Sequence, residues 1–490
     1  MIKLLSLVAL SAAVALQVNT LPFTPVQTTL FSVPNSLSNV WGDYDNDGDL
    51  DLAVSIGTGE IRLYRNDNGV MTSVGREMGM PQKGQEFRGL SWGDYDGDGF
   101  LDLMGGATEK TALSVVMHNE GGKHFTDVAA EIGLTIPDRS ARQSNWVDYD
   151  NDGDLDLYSS DRAGENKLFR NDNGHFTRVF ANAGPTDARA TVGACWFDAD
   201  DDGDLDLFLA NQAGGTDALW RNDTTSFTDI APAMHMTGPH RTTDEGGVGC
   251  AVGDFDNDGD LDVFVPNYGH NQLYRRNADK TFTEVAAAVG VGVENHAVGT
   301  DWGDYDNDGD LDLSVMSYVG PVDAQEPMNA LFRNDGGKFV NALTKDSPLN
   351  VGDHGVQFVD FDGDGGLDIN ITRGYTNSGG HFLFRNTLSD EAKRRSLSVT
   401  VLDSRGHQTR FGSEIRLRDA SGRILATRLV PAGGGYNSQG AGPVHFGLTS
   451  MAPVTVEVTF MSNSGRRVQT IRNISPAAYL GKSVVVRQQR

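Results

Sequence analysis

Twenty-eight aspartates at fixed spacing are the side chains of this sequence best placed to do chemistry. The stretch DYDNDGDLD at residues 43–51 recurs with first aspartates at Asp94, Asp148, Asp198, Asp254, Asp304 and Asp360, at intervals of 51, 54, 50, 56, 50 and 56 residues. Positions 1, 3, 5 and 9 are carboxylates in every copy. They are Asp43, Asp45, Asp47 and Asp51; Asp94, Asp96, Asp98 and Asp102; Asp148, Asp150, Asp152 and Asp156; Asp198, Asp200, Asp202 and Asp206. The last three sets are Asp254, Asp256, Asp258 and Asp262; Asp304, Asp306, Asp308 and Asp312; Asp360, Asp362, Asp364 and Asp368. So much like charge in a short loop is costly unless a cation offsets it. An all-oxygen donor set suits a hard ion taking roughly six to eight oxygens, calcium before magnesium.

Glycine at position 6 (Gly48 and its six equivalents) lets the backbone turn sharply around such an ion, because it enters positive φ freely. Position 7 is aspartate in five copies (Asp49, Asp154, Asp204, Asp260, Asp310) but Phe100 and Gly366 in the others, so its expected contribution is a backbone carbonyl. A single copy could be an ordinary turn; seven consistent copies predict about seven calcium ions, one per repeat.

A catalytic reading has less to stand on. No GxSxG or HExxH occurs, and the 11 histidines are dispersed. Glu86, Arg88, Arg142, Arg189, Glu245, His296 and His354 lie six to nine residues before first aspartates, where they could converge on an acidic sugar with a general acid or base among them. This is the alternative function: a secreted lyase or hydrolase acting on acidic polysaccharide.

The elements that position the loops repeat with them. One apolar segment precedes each loop (VGTDWG at 298–303) and one follows it (LDLFLAN at 205–211). A third ends in Arg-Asn (LYRN at 63–66), and a fourth is Phe-Thr-x-Val (125–128, 176–179, 282–285). Four strands in about 50 residues predict a propeller blade, and seven units predict an all-β, seven-bladed β-propeller. Trp41, Trp92, Trp146, Trp196 and Trp302, each two residues before a first aspartate, read as core between blades. The seventh unit lacks its fourth strand, so the segment 29–33, TLFSV, is expected to close the ring as its outermost strand.

The DxDxDGxxDL loops with these flanks resemble the FG-GAP repeats of integrin α-chain propellers and their bacterial relatives. GSEIRLRD at 412–419, GGGYNSQG at 433–440 and VHFGL at 444–448 resemble the ASPIC and UnbV domain. Together these resemblances point to the cartilage acidic protein family, and imply calcium-bound loops and a role in binding or adhesion.

The expected domains are a signal peptide at 1–15, a propeller at 21–392 and a basic β domain at 393–490, read as a small antiparallel β-sandwich or barrel. Lys3 followed by LLSLVALSAAVAL supports export, and no later run of about 20 apolar residues suggests a membrane span. A secreted protein is expected, whether extracellular, cell-surface or periplasmic, and monomeric. Its expected ligand is an extracellular protein or acidic glycan; no nucleic-acid partner is expected. Net charge is −27, divided as +11 over 393–490 and −38 elsewhere. That asymmetry allows the basic module to dock on its own propeller or to capture an external polyanion, and the external partner is the favoured reading. Cys195 and Cys250 stand three and four residues before their loops, an offset that favours two buried thiols over a bridge. Asn222, Asn370 and Asn473 lie in sequons, relevant only to a eukaryotic secretory route.

Overall fold

The computed structural model describes residues 21–489 apart from 110–111, 137–139, 180–184, 186, 319–325 and 375–379, so the expected signal peptide at 1–15 lies outside the described residues. Among the described residues, each aspartate loop belongs to one four-stranded antiparallel sheet, and there are seven such sheets. The first comprises Ser36–Gly42, Asp51–Ile56, Ile61–Asp67 and Val70–Ser73, from the inside outward. The innermost strands touch in sequence, Ser36–Gly42 to Phe87–Gly93 and onward to Val356–Val359, which returns to Ser36–Gly42; the sheets therefore form a ring, a β-propeller.

Its second strands show why apolar runs rather than alternation mark them: Asp206–Asn211 is buried on both faces, between neighbouring sheets. The tryptophans fill the same gaps. A side chain on Gly93 would meet Trp146 at 2.5 Å, and one on Gly42 would meet Trp92 at 2.9 Å, so the glycine before a loop makes room for the next sheet's indole.

The ring closes through the N-terminus, but with a different segment from the one the sequence suggested. Phe23–Val26 pairs antiparallel with Phe382–Asn386 as the outermost strand of the seventh sheet, and Pro25 is tolerated there because its other side is an edge. Gln27 turns out of the strand at φ 41°, and its side chain pairs with the backbone of Met71 in the first sheet. Residues 29–33 then form no strand; Phe31 packs edge-on against Tyr64 and His381.

The fifth sheet also departs from its siblings. Its innermost strand is split into Gly246–Gly247 and Ala251–Gly253, and Cys250 falls in the gap. Strand alternation no longer governs its direction, and it bridges to Cys195 of the fourth sheet, Cα to Cα 6.2 Å. Gly193 backs onto Gly249 here, where a side chain would meet backbone at 2.6 Å. The two expected thiols are thus one disulfide.

An asparagine ladder ties the loops into a circle. In six sheets an asparagine near the end of the third strand donates from Nδ2 to the position-8 carbonyl of its own loop and to the position-2 carbonyl of the preceding one. Asn119 reaches Leu101 and Tyr44, and Asn66 closes the circle on Phe361 at 2.7 Å. Asn222 is a rung of this ladder, buried with Nδ2 bonded to Tyr149 and Leu205, and Asn370 is likewise buried, so of the three sequons only Asn473 is exposed. In the fifth sheet the rung is Arg276, which reaches Ala199 O at 2.9 Å and pairs with Asp201 at 2.8 Å. Asp201 occupies position 4 of the fourth loop, where the other loops have Asn or Gly. The two exceptions in the pattern compensate each other.

After the short helix Asp390–Lys393, capped by Ser389, come two further sheets. One holds Ile424–Leu429, Glu414–Arg418, Val454–Phe460 and Arg467–Ile474; the other holds Val444–Gly447, Ser396–Leu402 and Ser483–Arg487. The last two strands pair in parallel, so the module is not purely antiparallel as expected. Its core, including Val399, Ile415, Val456 and Val486, is continuous with that of the propeller.

Two expected outcomes test this account. Deleting residues 21–27 leaves Phe382–Asn386 as an open edge and yields a protein that melts lower and self-associates; a monomer with unchanged melting contradicts the closure. Arg276→Ala removes charged hydrogen bonds from a buried site and lowers stability by about 1.5–3 kcal/mol, read by denaturant unfolding.

Candidate metal centre

Within each loop, the backbone and the strand ends pull the carboxylates inward. The position-1 carboxylate accepts from the N–H of positions 5 and 6, as Asp43 does from Asp47 at 3.1 Å and Gly48 at 3.0 Å. The position-5 carboxylate accepts from position 7, as Asp47 does from Asp49 N–H at 2.9 Å. Position 9 opens the second strand and is fully buried; Asp51 accepts from Tyr44 N–H at 3.1 Å and from Asn66 N–H at 2.8 Å. Position 4 sits in the left-handed region, φ 59° at Asn46 and 70° at Gly97, which explains why only Asn, Asp or Gly occurs there. Its asparagine reaches the next loop: Asn151 donates to Gly203 O and Asp204 Oδ1, and Asn46 to Gly99 O.

Positions 1, 3 and 9 converge. In the first, third and fourth loops, one oxygen from each lies within 4.8 Å of the other two; in the second, Asp94, Asp96 and Asp98 do the same. Asp45, Asp150, Asp256, Asp306 and Asp362, all at position 3, keep a buried Oδ1 with no hydrogen-bond donor. Burial pushes the carboxyls up: Asp51 to about 8, Asp43 to about 6, and Asp198, Asp254, Asp304 and Asp360 to about 7. Buried acceptors without donors, beside carboxyls that resist ionising, fit a hard cation.

Position 7 acts differently. Asp49 Oδ2 accepts from Asn68 N–H, Asp204 from Thr224 Oγ1 and Asp310 from Gly336 N–H, all in the hairpin turn of the same sheet. The side chain is spent on the turn, which leaves the carbonyl as the group that Phe100 and Gly366 could equally supply.

The terminal module covers this face of the ring. Its side chains reach first aspartates in successive loops: His407 Nδ1 to Asp94 Oδ2 at 3.3 Å, Arg410 to Asp148 at 2.7 Å, and Arg466 to Asp198 at 3.6 Å. Arg428 is buried between Asp254 and Asp304, Arg416 donates to Gly259 O at 2.9 Å, and Lys393 pairs with Asp364. Contact extends to the position-6 glycines. A side chain on Gly203, Gly259 or Gly365 would strike Gly465, Ile424 or Lys393 within 2.6 Å, whereas Gly48 of the first loop has nothing within 4 Å. The module thus docks on its own propeller, the less favoured of the two outcomes, with Arg410, Arg416 and Arg428 turned to the aspartate loops and Arg418 held by Glu457.

The stretch 432–441 enters the central channel from the loop side. Ala441 bonds to Trp41, Gln439 to Leu90 and Trp146, Ser438 to Gln143 and Asn437 to Val192, stepping back along the innermost strands toward their starts. Tyr436 is at the tip. Arg88 donates to its hydroxyl at 2.6 Å, and His354 meets its ring edge-on at 5.0 Å. Of the residues considered for catalysis, Arg88, Arg142 and His354 thus surround Tyr436, and Glu86 pairs with Arg88 at 2.8 Å. The others do not join them: Arg189 pairs with Asp187 and Asp229, Glu245 accepts from Thr242, and His296 stacks on Tyr268. The ladder asparagines and Tyr436 escaped the reading of motifs, although the Arg-Asn ending repeated in five of the seven sheets was a visible signal for the ladder.

Two family models match the chain. The FG-GAP-like repeat family matches residues 43–105, 148–209, 198–265 and 254–315, and the ASPIC and UnbV family matches 403–482. No curated protein matches the chain at significance. Among solved structures, BBS1N in complex with ARL6DN has a TM-score of 0.48 at 8% identity, covering 75% of this chain and 98% of that one. The BP39L lectin from Burkholderia pseudomallei has a TM-score of 0.46 at 11% identity, covering 73% and 98%. A protein from Lactobacillus plantarum has a TM-score of 0.41 at 13% identity, covering 62% and 84%. The chain thus carries FG-GAP-like repeats within its β-propeller and a C-terminal ASPIC and UnbV domain.

Proposed function

We propose that this chain is a secreted, calcium-loaded propeller that works as an extracellular binding module for a protein or acidic glycan. The observation that carries the calcium reading is the buried, donorless Oδ1 of the position-3 aspartates, set beside the carboxylates of positions 1 and 9. Export is supported by the N-terminal apolar stretch and by the Cys195–Cys250 disulfide, which suits an oxidising compartment. Among the described residues, no helix is long and apolar enough to cross a membrane. Arg88, Arg142 and Tyr436 are buried at the channel end of the hairpin, so the cationic surface open to an anionic ligand is the outer side of the module, where Arg423, Arg467, Arg472, Lys482 and Arg487 are exposed. Incubation with an acidic polysaccharide is expected to give binding without new unsaturated or reducing ends; their appearance would establish the enzymatic alternative instead.

Ions that bind only the folded loops contribute RT ln(1 + [L]/Kd), about 2.7 kcal/mol per site at roughly a hundredfold excess over Kd. Calorimetry in excess chelator is therefore expected to show melting tens of degrees lower, and an unchanged transition defeats the calcium reading. Asp45→Ala and Asp306→Ala are each expected to lose one bound calcium by direct stoichiometry.

The pH dependence has a definite sign. Asp51, Asp198, Asp254, Asp304 and Asp360 have folded values near 7 to 8 against about 3.9 unfolded. A carboxyl raised in this way favours the fold while protonated, so metal-free stability is fullest below about pH 4 and falls as pH rises toward 8. Calcium displaces those protons and cancels the penalty. The melting gap between loaded and stripped protein is expected to widen from pH 5 to pH 8; a gap constant across that range excludes the linkage.

A further inference from the structure

Seven copies of one repeat provide six controls for any exception. The residue before each ladder position is arginine in six sheets (Arg65, Arg170, Arg221, Arg275, Arg333, Arg385) and histidine only in the second, His118. Arg65, Arg170, Arg221 and Arg333 turn to the aspartate two residues onward, and Arg385 lays its charge on Asp362. His118 instead points a ring nitrogen into its own loop, Nδ1 standing 3.1 Å from Asp102 Oδ1 and 3.5 Å from Asp96 Oδ2. The three donor atoms of Asp96, Asp102 and His118 all lie within 4.8 Å of one another. The 3.1 Å contact is a hydrogen bond; two atoms that each bind one ion at about 2.1 Å stand roughly 3.0 Å apart at octahedral angles and 3.4 Å at tetrahedral ones, so the same atoms can share an ion with little movement.

A second histidine meets the same loop from the other side. His407 of the terminal module lies over Gly99, with Nδ1 3.3 Å from Asp94 Oδ2, buried and making no hydrogen bond. The third and fourth loops receive Arg410 and Arg466 on their first aspartates. Only the second loop is approached by imidazoles from both its own sheet and the module.

We propose that the second loop is a site for a borderline divalent cation of the zinc type, bound by His118 Nδ1 with carboxylates of Asp94, Asp96 and Asp102, and that His407 positions Asp94. Calcium takes oxygen ligands, whereas imidazole nitrogen favours zinc and its first-row neighbours. One loop of the ring is thereby made chemically distinct from the six all-oxygen loops. The inference rests on reading the loops as cation sites, though not on calcium being their occupant.

The test uses the full mature chain, stripped with chelator and dialysed against millimolar calcium with micromolar zinc chloride, its metals counted by mass spectrometry. One zinc per chain is expected in the wild type and none in His118→Arg, which restores the residue of the other six sheets and gains one calcium. Circular dichroism and melting in calcium should match, because the variant side chain is already accommodated six times. His407→Asn is expected to weaken zinc at least about tenfold, as loss of a residue that orients a ligand does. Equal zinc in wild type and His118→Arg overturns the proposal, as does calcium filling all seven loops with zinc excluded. If zinc is retained through His118 while no loop takes calcium, the calcium reading falls and this site stands.

Discussion

The structure depends on how a crowd of buried carboxylates is kept on one face of the ring. The first four loops each bring three carboxylate oxygens together, and position 9 is fully buried at the start of a second strand in all seven. Backbone N–H groups, one at each strand end and two at each turn, supply part of the compensation. They leave the position-3 Oδ1 without a donor in five of the seven loops, and burial raises carboxyls such as Asp51 well above the usual range. Positive charge brought to loops of this kind offsets the cost of ionising them, and the chain's own side chains bring some of it.

The terminal module delivers part of that charge. Part of its basic charge is turned inward, one basic or imidazole group to successive first aspartates, and its glycine-rich hairpin threads the channel that a propeller otherwise leaves open. Surface ion pairs are individually weak. Here they sit at the rim of a shared apolar core, and that core is what makes docking stable. The same placement leaves the first loop as the one whose turn glycine the module does not touch. The two modules are thus complementary in charge and in shape, and the composition of each makes sense only beside the other.

Repetition also turns exceptions into information. Arg276 replaces a ladder asparagine where Asp201 replaces a position-4 asparagine, and the two form an ion pair that restores the inter-sheet tie. Cys195 and Cys250 bridge where the fifth sheet's innermost strand is broken, so a covalent link stands in for the missing ladder. His118 stands alone among six arginines and faces its loop. The first two deviations lie where neighbouring sheets meet, whereas His118 acts within its own sheet.

The sequence by itself determined the repeat, its four strands, the carboxylate positions of every loop and the need for a closing N-terminal strand. All of these follow from local periodicity, which a chain writes directly. Only the tertiary structure decided which residues close the ring, since Gln27 breaks the strand and Phe31 fills a gap between sheets. It alone paired Cys195 with Cys250, because alternation predicts direction only within an unbroken strand. It alone showed the basic residues facing the aspartate loops, and Tyr436 beside Arg88 and His354. Net charge and glycine content are sums over a segment. They say that a surface is basic or a loop pliable, but the partner is chosen by distance, and distance between residues hundreds apart in sequence exists only in the folded chain.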